Sequence, residues 1–548
     1  MRADTVTGIL VRLEEPRMTT DSASAARDGQ LEYPDGRVEL TDSGALTDPG
    51  LANEDLVPVP VSQRTWHTYN YTALWVGMSH NIPSWLLASG LVAAGMSWQQ
   101  AVFIILLANV IVLIPILLNG HGGTKYGIPF PVLARSSFGV FGANLPALIR
   151  ALAATCWFGV QTWIGGEGIF LLAGKMFGDG WADAGHIGDF PWTQWLSFFV
   201  FWLIEIAIIV RGIDTLKHFE NWAAPVVLVA AVALLIYMWI KAGGVGDILS
   251  QPGTLHGKDF WKVFGPSLMG MIGFWATLSL NISDFTRFGG SQKKQMLGQT
   301  YGLPTTMTFF ALLSVFVTSA SEKVYGEVIW DPIQLAARID NWVGTLLALA
   351  TVMVATLAVN IAANLVSPSY DFANAAPKHV NFRRGALITC VLSVLIMPWE
   401  LVSNPDIYIF TWLNFVGAIL GPVAGILLAD YWFVRRRTLV IRDLYKRDGG
   451  LYWYRGGWNW IAVVSFAVAA ILAGGGSHSG INAKGVKTGP FPVDGIIPFL
   501  KPLADYGWII GLVAGALLHT VLMKLLKAPV SYDDSAANVA EEDEGVTV

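Results

Sequence analysis

Two pairs of polar or aromatic residues at helical spacing lie inside long apolar stretches of the chain. Trp157 and Gln161 are four residues apart, as are Asn360 and Asn364, so each pair shares one face of an α-helix. A tryptophan offers a flat surface for stacking, and an amide offers a donor and an acceptor without a buried charge. Together they could recognise a flat polar ring. The alternative is that the amides only join neighbouring helices.

The first apolar stretch carries a helix-breaking segment at mid-depth. It reads Ser79-His80-Asn81-Ile82-Pro83, shortly after Gly77. Proline removes a backbone donor and disfavours helix at the residue before it, so we expect the helix to be interrupted here. In a membrane, unpaired backbone survives only where it lines a protein cavity. A kink packed against a neighbouring helix is the alternative.

The sixth apolar stretch has a comparable weak point, with Gly270, Gly273, Phe274 and Trp275 in close succession. Gly273 lies five stretches after Gly77, and because five is odd, two such halves would have opposite orientations in the membrane. Interrupted helices at corresponding positions of an inverted repeat indicate a transporter binding site. Close helix packing through the two glycines is the alternative.

Composition indicates a membrane protein. Of the 548 residues, 53% are hydrophobic and 14% are charged, whereas soluble domains carry about a quarter charged residues. Apolar stretches long enough to cross the bilayer recur along the chain. We therefore expect an all-α polytopic fold of about twelve transmembrane helices, a five-plus-five inverted-repeat core and two C-terminal helices. The twelve stretches are 72–94, 99–118, 145–173, 192–210, 222–240, 265–283, 302–320, 342–366, 385–398, 407–429, 458–474 and 506–525.

The chain divides into four predicted regions. Residues 1–63 are polar and predict a disordered cytoplasmic tail, and residues 528–548 predict an acidic one. Residues 64–430 would form the transport core, and 431–527 the two additional helices. Seventeen Lys and Arg residues lie in one set of alternate loops against nine in the other. This bias predicts a multi-pass protein of the cell (inner) membrane with both termini in the cytoplasm.

Several functional classes find no support in the sequence. A formal net charge of -5 gives no basic surface for nucleic acid. Cys156 and Cys390 lie in apolar stretches, which argues against a disulfide framework or a zinc cluster. The histidines lack metal-binding spacing, and no phosphate-binding loop suggests ATP or another cofactor. A membrane enzyme or a channel remains the alternative to a transporter, although neither paired catalytic acids nor a repeated pore signature is found.

Three long motifs resemble the nucleobase:cation symporter family of type 1, which includes bacterial hydantoin, allantoin, uracil and cytosine carriers. The resemblance covers about residues 64 to 525. The motifs are Asn119-Gly-His-Gly-Gly-Thr-Lys-Tyr-Gly-Ile-Pro-Phe-Pro-Val-Leu-Ala-Arg135, Trp157-Phe-Gly-Val-Gln161-Thr-Trp163 and Asn360-Ile-Ala-Ala-Asn364-Leu-Val-Ser-Pro368.

The resemblance implies the inverted-repeat fold of the leucine transporter and a secondary transporter for a small planar heterocycle. It places the ring between two tryptophans that match Trp157 and Trp275. It assigns hydrogen bonds to the amides of Gln161 and Asn364, and it puts Asn81 at a position that carries a glutamine in the hydantoin carrier. We also assign Phe274, beside Trp275, to this substrate site.

The same resemblance raises the question of the coupling ion. The sodium-coupled hydantoin carrier has hydroxyl side chains where this chain has Ala358 and Val359, and neither can bind a hard cation through its side chain. Only the backbone ligands at Ala355, Gly77 and His80 would remain, so a proton becomes the favoured partner and sodium the alternative. The candidate proton-binding residues are His80 at the interrupted helix, Glu167 in the third stretch and, more weakly, Glu205 in the fourth. A neutral packing role is the alternative for His80.

Overall fold

The protein is described from a computed structural model, which covers residues 29–42, 46, 48–211, 229, 231–244, 253–339, 342–481, 487–528 and 530. Long α-helices form most of it, and the strands form three short antiparallel hairpins. These pair β1 (Gln30–Glu32) with β2 (Val38–Leu40), β3 (His186–Ile187) with β4 (Phe190–Pro191), and β5 (Gly480–Ile481) with β6 (Lys487–Thr488).

Helices coincide with the predicted stretches, which confirms the all-α organisation, although residues 222–228 and 230 of the stretch 222–240 lie outside the described residues. Seven described helical segments are long and apolar enough to cross a membrane. The main helices are α1 (Thr68–Ser79), α2 (Ile82–Ala93), α3 (Trp98–Tyr126), α4 (Asn144–Phe177), α5 (Trp192–Arg211), α6 (Ala231–Ala242), α7 (Gly257–Phe274), α8 (Ala276–Asn281), α9 (Gln292–Tyr325), α10 (Trp342–Asn364), α11 (Val366–Ala375), α12 (Phe382–Leu395), α13 (Asn414–Leu428), α14 (Trp460–Gly474) and α15 (Gly507–Leu525).

Shorter helical segments connect or extend these helices. Two stretches of π-helix, Asp406–Leu413 and Ala429–Val434, make α13 the centre of one continuous span. The remaining short segments are Val61–Gln63, Phe130–Leu133, Arg135–Phe138, Asp179–Ala182, Ser283–Thr286, Pro332–Ala337, Pro398–Leu401, Ile441–Tyr445, Pro498–Leu500 and Lys501–Ala504.

The first span is interrupted where the sequence predicts it. Helix α1 ends at Ser79 and α2 begins at Ile82, with Pro83 in the first turn of α2. The Asn81 side chain accepts a hydrogen bond from the Ser84 N–H at 2.8 Å. A capped helix start therefore lies inside the first span.

The sixth span breaks at Trp275, between α7 and α8, and the two glycines before it have a different role. Gly270 and Gly273 lie inside α7 and contact the carbonyls of Ile409 and Leu413 on the π-helical segment Asp406–Leu413. A Cβ at Gly270 would be 2.9 Å from the Ile409 oxygen. The glycines thus provide the close helix packing that the sequence left as an alternative, and the break falls just after them.

The spans pack in two groups of four. In one group the second span contacts the first, sixth and seventh spans, and in the other the third span contacts the fourth, eighth and ninth, while few contacts join the groups. The tenth span contacts α7 and α8, and it also packs on α14 and α15. Side chains that face each other across the sparse boundary between the groups are therefore candidates for a binding site.

The predicted disordered tail does not hold for the described residues before position 64. Besides the β1–β2 hairpin, residues 48–64 form the N-terminal strap, a segment of turns and the short helix Val61–Gln63 that lies across the ends of several spans. Leu51 and Leu56 are buried with Tyr126 and Tyr445 in a separate apolar cluster. A few apolar residues among many polar ones are enough to anchor a segment when a preformed surface receives them. Residues 1–28 lie outside the described part.

Polar contacts also hold the N-terminal strap. Its Asp55 carbonyl accepts from Arg287 Nη1 at 3.0 Å, and its carboxylate accepts from the Phe382 N–H at 3.1 Å. Arg64 donates to backbone carbonyls that include Val59 at 2.8 Å and Tyr126 at 3.2 Å. Burial lowers the pKa of the Arg64 guanidinium to about 10, which keeps it charged at neutral pH.

Replacing Gly273 by alanine should destabilise the contact between α7 and the tenth span. The new Cβ would overlap the Leu413 carbonyl oxygen, and such overpacking costs about 1–3 kcal/mol. Thermal unfolding of the purified protein should show a lower Tm. Gly174→Ala is the matched control, because its Cβ would meet its nearest neighbour, Trp181, at an ordinary 3.8 Å. Equal Tm values for the two variants would contradict this packing.

Candidate substrate site

The Trp157 indole faces the protein interior and lies in a cluster of aromatic rings. Its centroid is 4.5 Å from that of Trp412, 4.9 Å from Phe274 and 6.2 Å from Tyr408. Trp412 and Tyr408 lie on the π-helical segment Asp406–Leu413, which brings both onto the same neighbour. Helix α4, α7 and the tenth span therefore meet at this indole.

Trp275 lies on the other side of Phe274. Its ring centroid is 4.8 Å from that of Phe274 and 5.1 Å from that of Trp75, which belongs to α1. Phe274 is nearly perpendicular to both Trp157 and Trp275, with interplanar angles of 81° and 86°. The two tryptophans that the resemblance pairs around a ring are thus brought to one cluster, with the Phe274 phenyl contacting both.

Several polar groups of this cluster have no protein partner within the described part of the chain. They are the indole nitrogens of Trp157 and Trp275 and the Gln161 side-chain oxygen, all buried. Gln161 lies one turn from Trp157 on the same face of α4. Because buried polar groups are normally hydrogen-bonded, donors and an acceptor left free beside aromatic rings are suited to a polar ring as ligand.

The eighth-span amides belong to a buried polar chain. Asn364 donates to the Asn360 oxygen at 2.9 Å, and Asn360 donates to Glu205 at 2.7 Å. The Thr162 hydroxyl donates to the other Glu205 oxygen at 2.8 Å. Glu205 is fully buried, and no cation contacts it among the described residues. Three spans thus meet at one carboxylate, next to the helix that carries Gln161.

The Asn81 amide is engaged at the interruption of the first span. Besides accepting from Ser84, it donates to the Met78 carbonyl at 2.5 Å. The side chain therefore bridges the end of α1 and the start of α2. One amide hydrogen is left for a ligand.

His80 and Ala355 line a small apolar cavity outside the aromatic cluster. Nδ1 of His80 hydrogen-bonds the Val76 carbonyl, and Nε2 is buried without a partner among the described residues. The cavity measures about 70 Å³, enough for a few water molecules. A Cβ on Gly77 would meet no atom within 4 Å. Gly77, His80 and Ala355, whose backbone oxygens could bind a cation, therefore each lie next to unfilled space. Ala355 is buried.

Glu167 has a different neighbourhood. Its carboxylate accepts a hydrogen bond from Gln334 on the short helix Pro332–Ala337, and the residue is half-buried. Its described side-chain contact therefore joins the third span to the connection between the seventh and eighth spans. The described hydrogen bond of Glu167 is therefore not part of the polar chain around Glu205.

Sequence reasoning missed four residues of the site. Trp412 and Tyr408 are four apart in the tenth span, a spacing that could have indicated a shared face. Thr162 follows Gln161 directly, yet a threonine in an apolar helix usually bonds its own backbone, so nothing singled it out. Trp75 was passed over among 23 tryptophans.

Comparison with known proteins agrees with this architecture. A family described as permeases for cytosine/purines, uracil, thiamine and allantoin matches residues 58–511. The allantoin permease of Bacillus subtilis is 41% identical over 480 residues, covering 87% of this chain and 94% of its own. The purine-uracil permease NCS1 of Arabidopsis thaliana is 42% identical over 449 residues, covering 79% and 73%.

Among solved structures, Mhp1, a transporter of the nucleobase-cation-symport-1 family, has a similar fold. Its inward-facing structure matches with a TM-score of 0.71 at 25% identity, over 88% of this chain and 97% of its own. The fold is that of a polytopic membrane protein with an inverted-repeat core, and the matching family consists of permeases and not of enzymes. The chain belongs to the nucleobase:cation symporter family of type 1.

Asn81→Ala should lower the stability of the protein by about 1 kcal/mol, because it removes the cap of α2. Asn81→Ser keeps an oxygen that can accept from the Ser84 N–H, so it should recover most of the loss. Thermal unfolding in detergent measures both. A serine variant as unstable as the alanine variant would contradict the capping role.

Proposed function

We propose that this protein imports a small ring with alternating N–H and C=O groups, of the allantoin, uracil or hydantoin type, by alternating access. The proposal rests on the Trp157 cluster, which lies between the two groups of spans. Its buried polar groups without a described partner lie on or beside the aromatic rings. Indoles stack on flat rings, and amides match the edge of a ureide or pyrimidine. Asn364 and Asn81 would complete that edge.

The relatives support this substrate class. The Bacillus subtilis protein is named an allantoin permease, and the plant protein a purine-uracil permease. A closed structure of Mhp1 has bromovinylhydantoin bound, and it matches this chain with a TM-score of 0.69 at 25% identity. Allantoin and hydantoin share a five-membered ring of alternating amide groups. A ring of this size suits a site closed in by aromatic side chains.

The basic loops support placing both termini in the cytoplasm of a cell whose inner membrane holds the protein. On that orientation the N-terminal strap crosses the cytoplasmic ends of the spans, with Arg287 and Phe382 as partners in different helix groups.

Trp157→Ala and Gln161→Ala should each abolish saturable uptake of labelled allantoin and of labelled uracil. The first variant removes the stacking surface, and the second removes an amide that lacks any other described use for its oxygen. Uptake into cells, normalised to the amount of protein in the membrane, measures this. Trp261→Ala is the control, since that side chain is 63% exposed and lies in no part of the site. Undiminished transport by both site variants would contradict the site.

The buried polar chain favours a proton as the coupling ion. A carboxylate inside a membrane protein is costly without a counter-charge, and within the described part of the chain the donors to Glu205 are the neutral side chains of Asn360 and Thr162. A proton would neutralise it. Because Asn360 also accepts from Asn364, the state of Glu205 is linked to an amide proposed to hold the substrate. These contacts support Glu205, rather than His80 or Glu167, as the proposed proton-binding residue.

Sodium is the less favoured ion, because the backbone oxygens at Gly77, His80 and Ala355 would have no help from the apolar Val359 side chain. Ala358 has no side-chain oxygen either. Hard cations such as Na⁺ and Ca²⁺ are bound by several oxygen ligands.

Glu205→Gln should abolish accumulation of substrate driven by an inward proton gradient, because a glutamine amide cannot bind and release a proton. The variant should still exchange labelled for unlabelled substrate, since glutamine keeps hydrogen-bonding atoms next to Asn360. Proteoliposomes with imposed proton or sodium gradients separate the two activities. Glu167→Gln is the matched control and should keep proton-driven uptake. Uptake that follows the sodium gradient and ignores pH would overturn proton coupling.

A further inference from the structure

We infer that Phe274 limits the size of the substrate, an inference that rests on the proposed function and adds a selectivity residue to it. The phenyl ring touches both indoles, with centroid distances of 4.9 Å to Trp157 and 4.8 Å to Trp275. It stands nearly perpendicular to each. A flat ring can stack between these indoles only when the phenyl moves aside.

The phenyl has little room in which to move. Trp157, Phe274, Trp275 and Trp412 are each at most 6% exposed, so the aromatic cluster is closed on several sides. The substrate and the displaced phenyl must therefore share one enclosed space. A ring with no substituent or with a short one, such as the ureido group of allantoin, leaves room for the phenyl, whereas a ring that carries a second ring competes with it.

The backbone of Phe274 is also held in place. The preceding residue, Gly273, contacts the Leu413 carbonyl, and Gly270 contacts the Ile409 carbonyl one turn earlier. The following residue, Trp275, is the break between α7 and α8. Because Gly270 and Gly273 pack closely on the tenth span, the Phe274 Cα stays near that span, and the side chain makes room by rotating. Rotation alone must then accommodate the substrate.

The selectivity that follows concerns substituents on the ring. Shape exclusion by a single large side chain can change relative affinities by tenfold or more. This protein should therefore prefer unsubstituted hydantoin to a hydantoin with a benzyl group at C5. Removing the phenyl should open space for the benzyl group and reduce that preference.

Competition against uptake of labelled allantoin tests the inference, with hydantoin and 5-benzylhydantoin as competitors. The measured quantity is the ratio of their half-inhibitory concentrations. In the unaltered protein we expect the benzyl compound to be at least tenfold weaker, and in Phe274→Ala we expect the ratio to fall at least tenfold. Phe274→Leu should give a value between them. Phe264→Ala, on the same helix among Phe103, Phe260 and Trp261, should leave the ratio unchanged.

An unchanged ratio in Phe274→Ala would overturn the inference. If that variant does not transport, thermal stabilisation of the purified Phe274→Leu protein by the two hydantoins replaces uptake, and a ratio equal to that of the unaltered protein would overturn it equally. Failure of the proposed function looks different, because Trp157→Ala and Gln161→Ala would then both transport normally. If uptake is lost in those two variants while the ratio is unchanged in Phe274→Ala, the proposed limit on substrate size is wrong and the proposed function still stands.

Discussion

The absence of water inside the membrane governs this structure, because every backbone group there needs a partner within the protein. Interrupting a span is costly under that constraint, and Asn81 reduces the cost by bonding Ser84 and Met78 on the two sides of the gap. The sixth span meets the same constraint differently, because a single residue, Trp275, separates α7 from α8. The interrupted spans can then present side chains at mid-depth without leaving the helix ends unpaired.

The two groups of spans give those side chains their setting. Trp157 belongs to the group of the third, fourth, eighth and ninth spans, and Trp275 to the other group. Phe274 contacts Trp157 across the boundary between the groups, and Trp412 of the tenth span contacts it as well. A ligand held here would contact both groups and the tenth span at once. Relative movement of the groups would then change the shape of the site directly, which suits a carrier that exposes one site to each side in turn.

Much of this could be predicted from the sequence, for physical reasons that differ between residues. The length of each apolar stretch predicts a span, and Pro83 predicts the first interruption, because both effects act locally along the chain. The contact between Trp157 and Trp412 could not be predicted, since it joins positions 255 residues apart through packing. The link between Glu205 and Asn360 was missed for the same reason. Gly270 and Gly273 indicated in the sequence that this backbone has an unusual role. The structure shows the role, which is close packing against the carbonyls of Ile409 and Leu413.

The N-terminal strap has a consequence for how the molecule is made. Asp48 forms an ion pair with Arg447 at 2.6 Å, and the Leu56 carbonyl accepts from the Tyr445 hydroxyl at 2.7 Å. Those partners leave the ribosome almost 400 residues after the strap does. These two contacts can therefore form only after ten spans have been synthesised, so the docking of the strap is completed at a late step of biogenesis.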